Sequence, residues 1–367
     1  MTVVHRWLAE PLPEAVAQAL ERLAAARGVQ HVAVMPDVHL AEHVCVGVVV
    51  GTDEWLSPQA VGGDIGCGMS AVRIAAGSEA LADEATAQRV FGELRRLVPT
   101  VRQPRPRGVD LGELSDPRLQ RAVQRDVHIE FGTLGRGNHF LEVQACEQEQ
   151  LWLMVHSGSR ALGPAIAAHH LARGEPLGRG LVALAAGGAG REYLHDVQVA
   201  LAFAQANRRA IAEAAALAIG EVIGAEPRWQ TWFDVVHNHV RHEPHAGRGL
   251  WVHRKGACSA QEGEAGIIPG SMGSRSFHVE GRGRAESLCS SSHGAGRRLA
   301  RGAACRAISS RDLERELRAV FFERHLAPHL RDEAPGAYKD IGAVMRAQRG
   351  LVRIVRTLRP VLAYKGV

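Results

Sequence analysis

AVGGDIGCGMSAVRI, residues 60–74, decides how the rest of the chain is read. Four glycines flank an acid and a thiol, and a β-branched run follows. The segment therefore reads as a loop shaped for close backbone approach to a ligand, feeding directly into a strand. Upstream, VCVGVVVG (44–51) is a continuous apolar run of the kind buried strands carry. Before it, residues 13–27 place apolar positions at helical spacing and give way at HVAVMPDVH (31–39) to a short β-branched strand. Downstream, 79–98 has helical spacing, and 99–117, with four prolines and two glycines, reads as a surface loop. FGTLGRGNHFLEV (131–143) and LWLMVHSGSRALG (151–163) each set a strand-like run against a polar turn. Residues 193–224 predict a long Ala-rich helix, VVHNHV (235–240) a strand edge, and 249–283 strands and loops. Helical spacing returns over 311–328 and 340–358. No repeat or low-complexity linker interrupts this order, so one compact mixed domain is expected.

Composition limits the function classes. With 367 residues and 46% hydrophobic content, the chain excludes a disordered polymer, a collagen-like fibre and a small disulfide scaffold. No window approaches the ~18 consecutive apolar residues of a membrane span, and the first eleven residues lack a leader's charged and apolar regions. A cytoplasmic protein without membrane contact is expected. Cysteines 45, 67, 146, 258, 289 and 305 form no CxxC pair, so each is expected as a thiol, a ligand or a core residue. Basic residues exceed acidic ones by five, and a pI near 9.1 fits an anionic partner without naming it. Only Lys255, Lys339 and Lys365 are lysines among 44 basic residues, which suggests sites where a compact ammonium is needed.

Nineteen histidines is a high count, and several sit in Gly-rich turns. The segments are Asp64 to Gly68, Gly137 to His139, Val155 to Gly158, Val236 to Asn238, and Ser292 to Gly296. Imidazole, thiolate and carboxylate are transition-metal ligands, and glycine turns admit a metal or a phosphate. Taken singly, each histidine is equally well a cap or a satisfied core residue. Mixed Asp, Cys and His ligation suits manganese, iron, cobalt or zinc alike. IPGSMGS (268–274) can turn successive N–H groups toward an anion, although it lacks the Lys-Ser/Thr ending of a P-loop. Arg346, Arg349, Arg353 and Arg356 recur at helical steps, either as a phosphate-facing stripe or as a solvated face. Arg102, Arg105 and Arg107 form a weaker loop cluster.

As a set, these motifs resemble the RtcB family of RNA ligases, which join RNA 3′-phosphate or 2′,3′-cyclic phosphate ends to 5′-hydroxyl ends. The matching stretches run in the family's order. They are MPDVH (35–39), GGDIGCGM (62–69), GTLGRGNHFLE (132–142), VHSGSRALG (155–163), HN (237–238), HRKGA (253–257), IIPGSMGSRSF (267–277), SHGAGR (292–297), APGAYKD (334–340) and the closing KG (365–366). The resemblance implies one α+β domain over residues 1–367, with central β-sheets, surrounding helices and a metal-containing cleft. It also implies a GTP-dependent mechanism with two manganese ions, in RNA repair or tRNA splicing.

Carried over by motif, His293 becomes the nucleophile that holds GMP. Asp64, Cys67, His139, His156 and His237 become the metal ligands, with Cys67 between the two ions. GTP contacts fall to Asn138, His139, Phe140, Leu141, Glu142, His237, Asn238, Pro269, Gly270, Ser271, Met272, Ser276, His293, Gly294, Ala295, Gly296, Tyr338 and Lys365. Glu142 is then the acceptor for the guanine N1 and N2 donors, and Tyr338 packs against the base. Arg160, Lys255 and Arg297 are expected to neutralise phosphates. The partners implied are RNA with those ends and the activating protein archease. Two departures, LAEHVCVG (40–47) and the Ala/Gly-rich stretch 171–192, avoid these positions and bear on substrate choice. The alternatives are an enzyme that caps 3′-phosphate ends of RNA or DNA without sealing them, and a catalytically inactive metal- and RNA-binding protein.

Overall fold

A computed structural model of the chain describes residues 2–178 and 180–366. Eleven residues, Val29–His39, stay extended because their branched side chains are buried on both faces. Val32 and Val34 face Val16, Leu20 and Leu23 of the helix Glu14–Ala24, while Ala33 and Met35 face a second core. This strand belongs to a five-stranded sheet ordered Val3–Arg6, Val29–His39, Val46–Thr52, Arg248–Lys255, Asn238–His245. Its first pair is parallel and the others are antiparallel.

A second, seven-stranded sheet is antiparallel throughout. Its order is Pro227–Val236, Gly68–Gly77, Gln150–Ser157, Phe140–Cys146, Val352–Lys365, Ser276–Gly281, Ala265–Ile268. Its two edge strands approach each other, so the sheet curls toward a barrel. The 36-residue helix Gly188–Ile223 packs on the outer face of this sheet through Ile211, Ala212, Ala215, Ala218 and Ile219. Alanines bring its backbone close to the strands, which is what the Ala-rich composition achieves. The fold is thus the expected α+β arrangement. Among the described residues, no helix is long and apolar enough to cross a membrane.

Three expectations need correction. Over 340–358 only Ile341–Ala347 is helical, and Val352–Lys365 is a central strand. Both its edges are paired, and the β-branched run from Val352 to Thr357 suits a strand better than the arginine spacing suits a helix. Arg346, Arg349, Arg353 and Arg356 therefore share no helix face. Arg353 pairs with Glu280, and Arg356 lies 4.4 Å over the Trp152 ring. Over 311–328, two short helices, Ser310–Glu316 and Ala327–Leu330, replace a continuous one. Finally, the helix Pro117–Glu130 follows the proline-rich loop, with Asp116 capping it and proline at its first turn, a start signal that the loop reading absorbed.

The chain passes directly from one sheet to the other through a single residue. Pro227–Val236 closes one edge of the seven-stranded sheet, Asn238–His245 closes one edge of the five-stranded sheet, and only His237 separates them. The joint is held from behind by the long helix. Arg208, fully buried, grips Asp234 with Nε and Nη2 at 2.6 and 2.7 Å and donates Nη1 to the carbonyls of Gly66 and Ser157. Its neighbour Asn207 accepts from the Gly132 N–H and donates to Ser157 Oγ and the Gly158 carbonyl. Removing one partner of a buried, hydrogen-bonded ion pair costs about 3–5 kcal/mol, because the other charge is stranded. Arg208→Met is therefore expected to lower unfolding stability by that amount in denaturant titration. Arg315→Ala, whose exposed side chain pairs at the surface with Asp312, is expected to stay within about 1 kcal/mol of wild type.

Candidate active site

Five candidate ligands converge at one end of the seven-stranded sheet. Cys67 directly precedes the strand Gly68–Gly77, His139 precedes Phe140–Cys146, His156 ends Gln150–Ser157, and His237 follows Pro227–Val236. Antiparallel register brings them together: Gly68 pairs with both Ser157 and Val236, and Phe140 pairs with His156. The His237 N–H donates to the Cys67 carbonyl at 2.9 Å. Asp64 hangs from the glycine loop, and Asn238 holds that loop by donating Nδ2 to the Asp64 carbonyl at 2.9 Å. Gly158 must be glycine, because a Cβ there would collide with the Asp64 carboxylate.

The donor atoms face one another. Cys67 Sγ lies 3.3 Å from His156 Nε2 and 3.5 Å from His139 Nε2, His156 Nε2 lies 3.4 Å from His237 Nε2, and His139 Nε2 lies 2.9 Å from Asp64 Oδ2. Ligands around one cation with bonds of about 2.1 Å to nitrogen and 2.3 Å to sulfur sit roughly 3.0–3.8 Å apart, so the spacing fits. The donors fall into two groups that share the thiol: Cys67, His156 and His237, and Asp64, Cys67 and His139. The His156 ring is aimed by a 3.0 Å contact from Nδ1 to the Asn138 carbonyl. Burial lowers the pKa of His156 and His237 well below the ordinary value, so their lone pairs are free for a cation. Burial pushes the Cys67 thiol up, helped by the Asp64 charge, while burial of Asp64 is outweighed by His139, which holds that carboxyl at about 2.

Asp64, His156 and His237 of the cluster line a cavity of about 400 Å³, with Cys67 and His139 behind them. His293 stands opposite, with its ring centroid 4.8 Å from that of His237. Asp37, fully buried, binds His293 Nδ1 at 2.7 Å and the His293 N–H at 3.2 Å. Gly296, at φ 74°, is needed there because a Cβ would strike the Asp37 carbonyl. Asp37 sits inside the quoted MPDVH motif but carries no role in the sequence reading, because its partner His293 lies 256 residues away. Glu333 was also missed. Buried at the far wall, it binds Lys365 Nζ and the Tyr338 hydroxyl at 2.7 and 2.8 Å and receives Arg301 Nη1 at 2.8 Å.

Of the nucleotide candidates, Asn138, Phe140, Glu142, His237, Asn238, Pro269, Gly270, Ser271, Met272, His293, Gly294, Ala295, Gly296, Tyr338 and Lys365 line the cavity, as do Lys255 and Arg297. His39, Gly62, Gly63, Gly256 and Arg301 line it as well and were not anticipated. Leu141 turns the other way, because strand alternation sends its side chain into the core with Leu153 and Tyr364. Ser276 lies behind the wall, bonded to Gln144 at 3.0 Å. Arg160 is behind the metal ligands, its Nη1 3.3 Å from His139 Nδ1. Arg297 is engaged by the Tyr338 hydroxyl at 2.8 Å and by the Asp332 carbonyl at 2.5 Å. Asn238 has both amide ends occupied, since its Oδ1 accepts from Gly256 N. Of the three lysines, two face the cavity, and Lys339 instead ties down the carbonyls of Pro36 and Val38.

Two outcomes follow. Cobalt(II) titration of the wild type is expected to give a thiolate-to-metal charge-transfer band that Cys67→Ser abolishes, with at least tenfold weaker binding in His156→Ala, about the scale of a lost ligand contact. Burial raises Glu142 from 4.5 to about 8, only partly opposed by its hydrogen bond from Gln144 and by Lys365. The folded state thus holds a proton that the unfolded state has released, and stability falls as pH rises from 4.5 to about 8. Glu142→Gln is expected to flatten that decline in melting temperature.

Comparison with known proteins identifies the family. A family model described as "tRNA-splicing ligase RtcB" matches residues 19–127 and 107–366. The chain is 38% identical to the RNA-splicing ligase RtcB of Escherichia coli K12, over 92% of this chain and 90% of that one. It is 31% identical to the RNA-splicing ligase RtcB of Mycobacterium tuberculosis, over 71% and 69%. It is 32% identical to the tRNA-splicing ligase RtcB of Methanopyrus kandleri, over 70% of this chain and 32% of that one. The chain belongs to the RtcB family.

Proposed function

We propose that the protein, read as one ligase domain, is an RNA ligase that joins 3′-phosphate or 2′,3′-cyclic phosphate ends to 5′-hydroxyl ends through GMP carried on His293. One observation carries the reading: the Asp37 carboxylate takes the Nδ1 side of His293, leaving Nε2 as the free lone pair in the cavity beside the metal cluster. An imidazole fixed in that tautomer is set up as a nucleophile. Attack by Nε2 on the α-phosphorus of GTP forms an N–P bond and releases pyrophosphate. The RNA 3′-phosphate then takes the GMP, and the 5′-hydroxyl displaces it. A cyclic phosphate is first opened to the 3′-phosphate.

The cluster of Asp64, Cys67, His139, His156 and His237 fits two divalent ions sharing Cys67, and manganese is the metal the family resemblance supplies. Such ions would offset the charge of the triphosphate and of the transferring phosphoryl group. Lys255 supplies a cation from the chain itself. Its stem lies against Gly62, and among the described residues it has no carboxylate partner. Phe140 and Tyr338 give the cavity aromatic faces for a base, and Glu142 gives it an acceptor for guanine. The Pro269 to Met272 turn and the Gly294 to Gly296 turn close the remaining walls. On this reading the partner is broken RNA in the cytoplasm, during repair or tRNA processing, with archease as a candidate accessory.

The test is incubation with MnCl₂ and α-³²P-GTP, followed by denaturing electrophoresis and acid treatment. An acid-labile label is expected on the wild type and none on His293→Ala. Asp37→Asn, which keeps the shape but loses the charge, is expected to label at least about 10²-fold more slowly. Unlabelled wild-type protein, with any divalent metal, would overturn the reading.

A further inference from the structure

We infer that Gln144, a residue outside the cavity, is a positioning residue that fixes the Glu142 carboxylate as a purine-selective acceptor. The inference rests on the reading above, in which Glu142 receives the guanine edge. Phe140, Glu142 and Gln144 lie on one face of the strand Phe140–Cys146. Phe140 and Glu142 reach the cavity, and Gln144 lies one step deeper, fully buried. Its Nε2 donates both hydrogens, to Glu142 Oε2 at 2.7 Å and to Ser276 Oγ at 3.0 Å. Ser276 Oγ in turn accepts from the Gly270 N–H, so the same amide connects the acid to the Pro269 to Met272 wall.

No other side chain among the described residues hydrogen-bonds to Glu142. Lys365, on the neighbouring strand, is the nearest cation, and its ammonium is bound to Glu333 at 2.7 Å. The other titratable or charged groups on the strands around this face are Cys146 on the same strand, His156 on Gln150–Ser157, His278 on Ser276–Gly281 and Arg356 on Val352–Lys365. When Glu142 ionises to accept from guanine, the carboxylate depends on the Gln144 donor for its one direct partner, and that donor leaves Oε1 unclaimed. An acceptor held this way suits the N1 and N2 donors of guanine. It opposes adenine, whose N1 is itself an acceptor.

The bonds to Glu142 and Ser276 fix which way the amide points. Gln144 Oε1 is buried without a partner, and so are Trp152 Nε1 and His278 Nε2. Trp152 stands directly across from Gln144 in register, and its ring meets the His278 ring edge-on, with centroids 4.8 Å apart. Arg356 can only donate, and its Nη1 lies 3.0 Å from His278 Nδ1, so the hydrogen of that ring is on Nε2. A flipped amide would set its oxygen against the Glu142 carboxylate and leave the acid without its donor.

The test compares wild type, Gln144→Met and Glu142→Gln by initial rates of covalent labelling with α-³²P-GTP and α-³²P-ATP, with thermal melting as the folding control. Gln144→Met keeps the length and loses the donor. Its KM for GTP is expected to rise about tenfold, the scale of a lost hydrogen bond to a charged group, with kcat within about twofold of wild type and a smaller GTP-to-ATP ratio. Because the lost donor favoured the anion, its KM should also recover at higher pH than that of the wild type. Gln144→Glu keeps both size and polarity if the methionine variant does not fold, and it is expected to raise the KM at least as far. An unchanged KM and preference in the Gln144 variants, or a loss confined to kcat, overturns the inference. If Glu142→Gln itself keeps the full preference for GTP, the base-recognition reading fails. If Glu142→Gln loses it while the Gln144 variants keep it, only the role of Gln144 fails.

Discussion

The site depends on one buried guanidinium. Arg208 projects from the middle of a largely apolar buried helix face and satisfies its donors on three separate pieces of chain: the glycine loop at Gly66, the strand end at Ser157, and Asp234. Each piece carries a candidate ligand within a few residues, respectively Cys67, His156 and His237. An arginine in such a place is costly to desolvate unless its fork is fully occupied, and the planar geometry that makes this possible is not available to lysine. The same interaction that compensates for burying the charge thus sets the spacing of three ligands.

His237 shows why that spacing has to be enforced. A strand that leaves one sheet and enters another bends sharply, and here the bend is one residue long. Without an anchor, small changes in the angle between sheets would swing the imidazole away from the cluster. Arg208 and Asp234 on one side, and the Asn238 amide bridging Asp64 and Gly256 on the other, hold the bend from both directions. Sites of this kind work only if their supporting contacts are as fixed as the ligands.

The extent to which this was legible follows from where the information lies. Glycine-flanked motifs announce themselves locally, so the segments that carry Asp64, Cys67, His139, His156, His237 and His293 stood out before any fold was known. The sheet edges and the long helix followed from periodicity. What escaped was non-local. Arg208 reads as one of two adjacent arginines on a helix, and nothing in its neighbours says that it is buried while Arg209 is not. Glu333 lies in a charged stretch, RDE, that resembles a surface turn, and its burial depends on Lys365 returning at the end of the chain. The arginine spacing over 346–356 misled because helical periodicity in the charged residues was weighed above β-branching in the residues between them. Pairing on both strand edges decided the outcome.

Glu333 also clarifies how the cavity can receive a polyanion. Lys255, Arg297, Arg301 and Lys365 line one space, and four unopposed cations would repel one another and raise the cost of folding. Glu333, with Asp332 beside it, draws Arg297, Arg301 and Lys365 to one wall and orients Tyr338 with them. Lys255 stays outside this network, beside the glycine loop that leads to Asp64. The cavity is therefore divided electrically: one wall is partly neutralised and ordered around an aromatic ring, which suits a base and sugar, and the other combines the Lys255 ammonium with the ligand cluster, which suits phosphates. On the proposed reading, this division of charge would orient a nucleotide before any specific contact to the base is made.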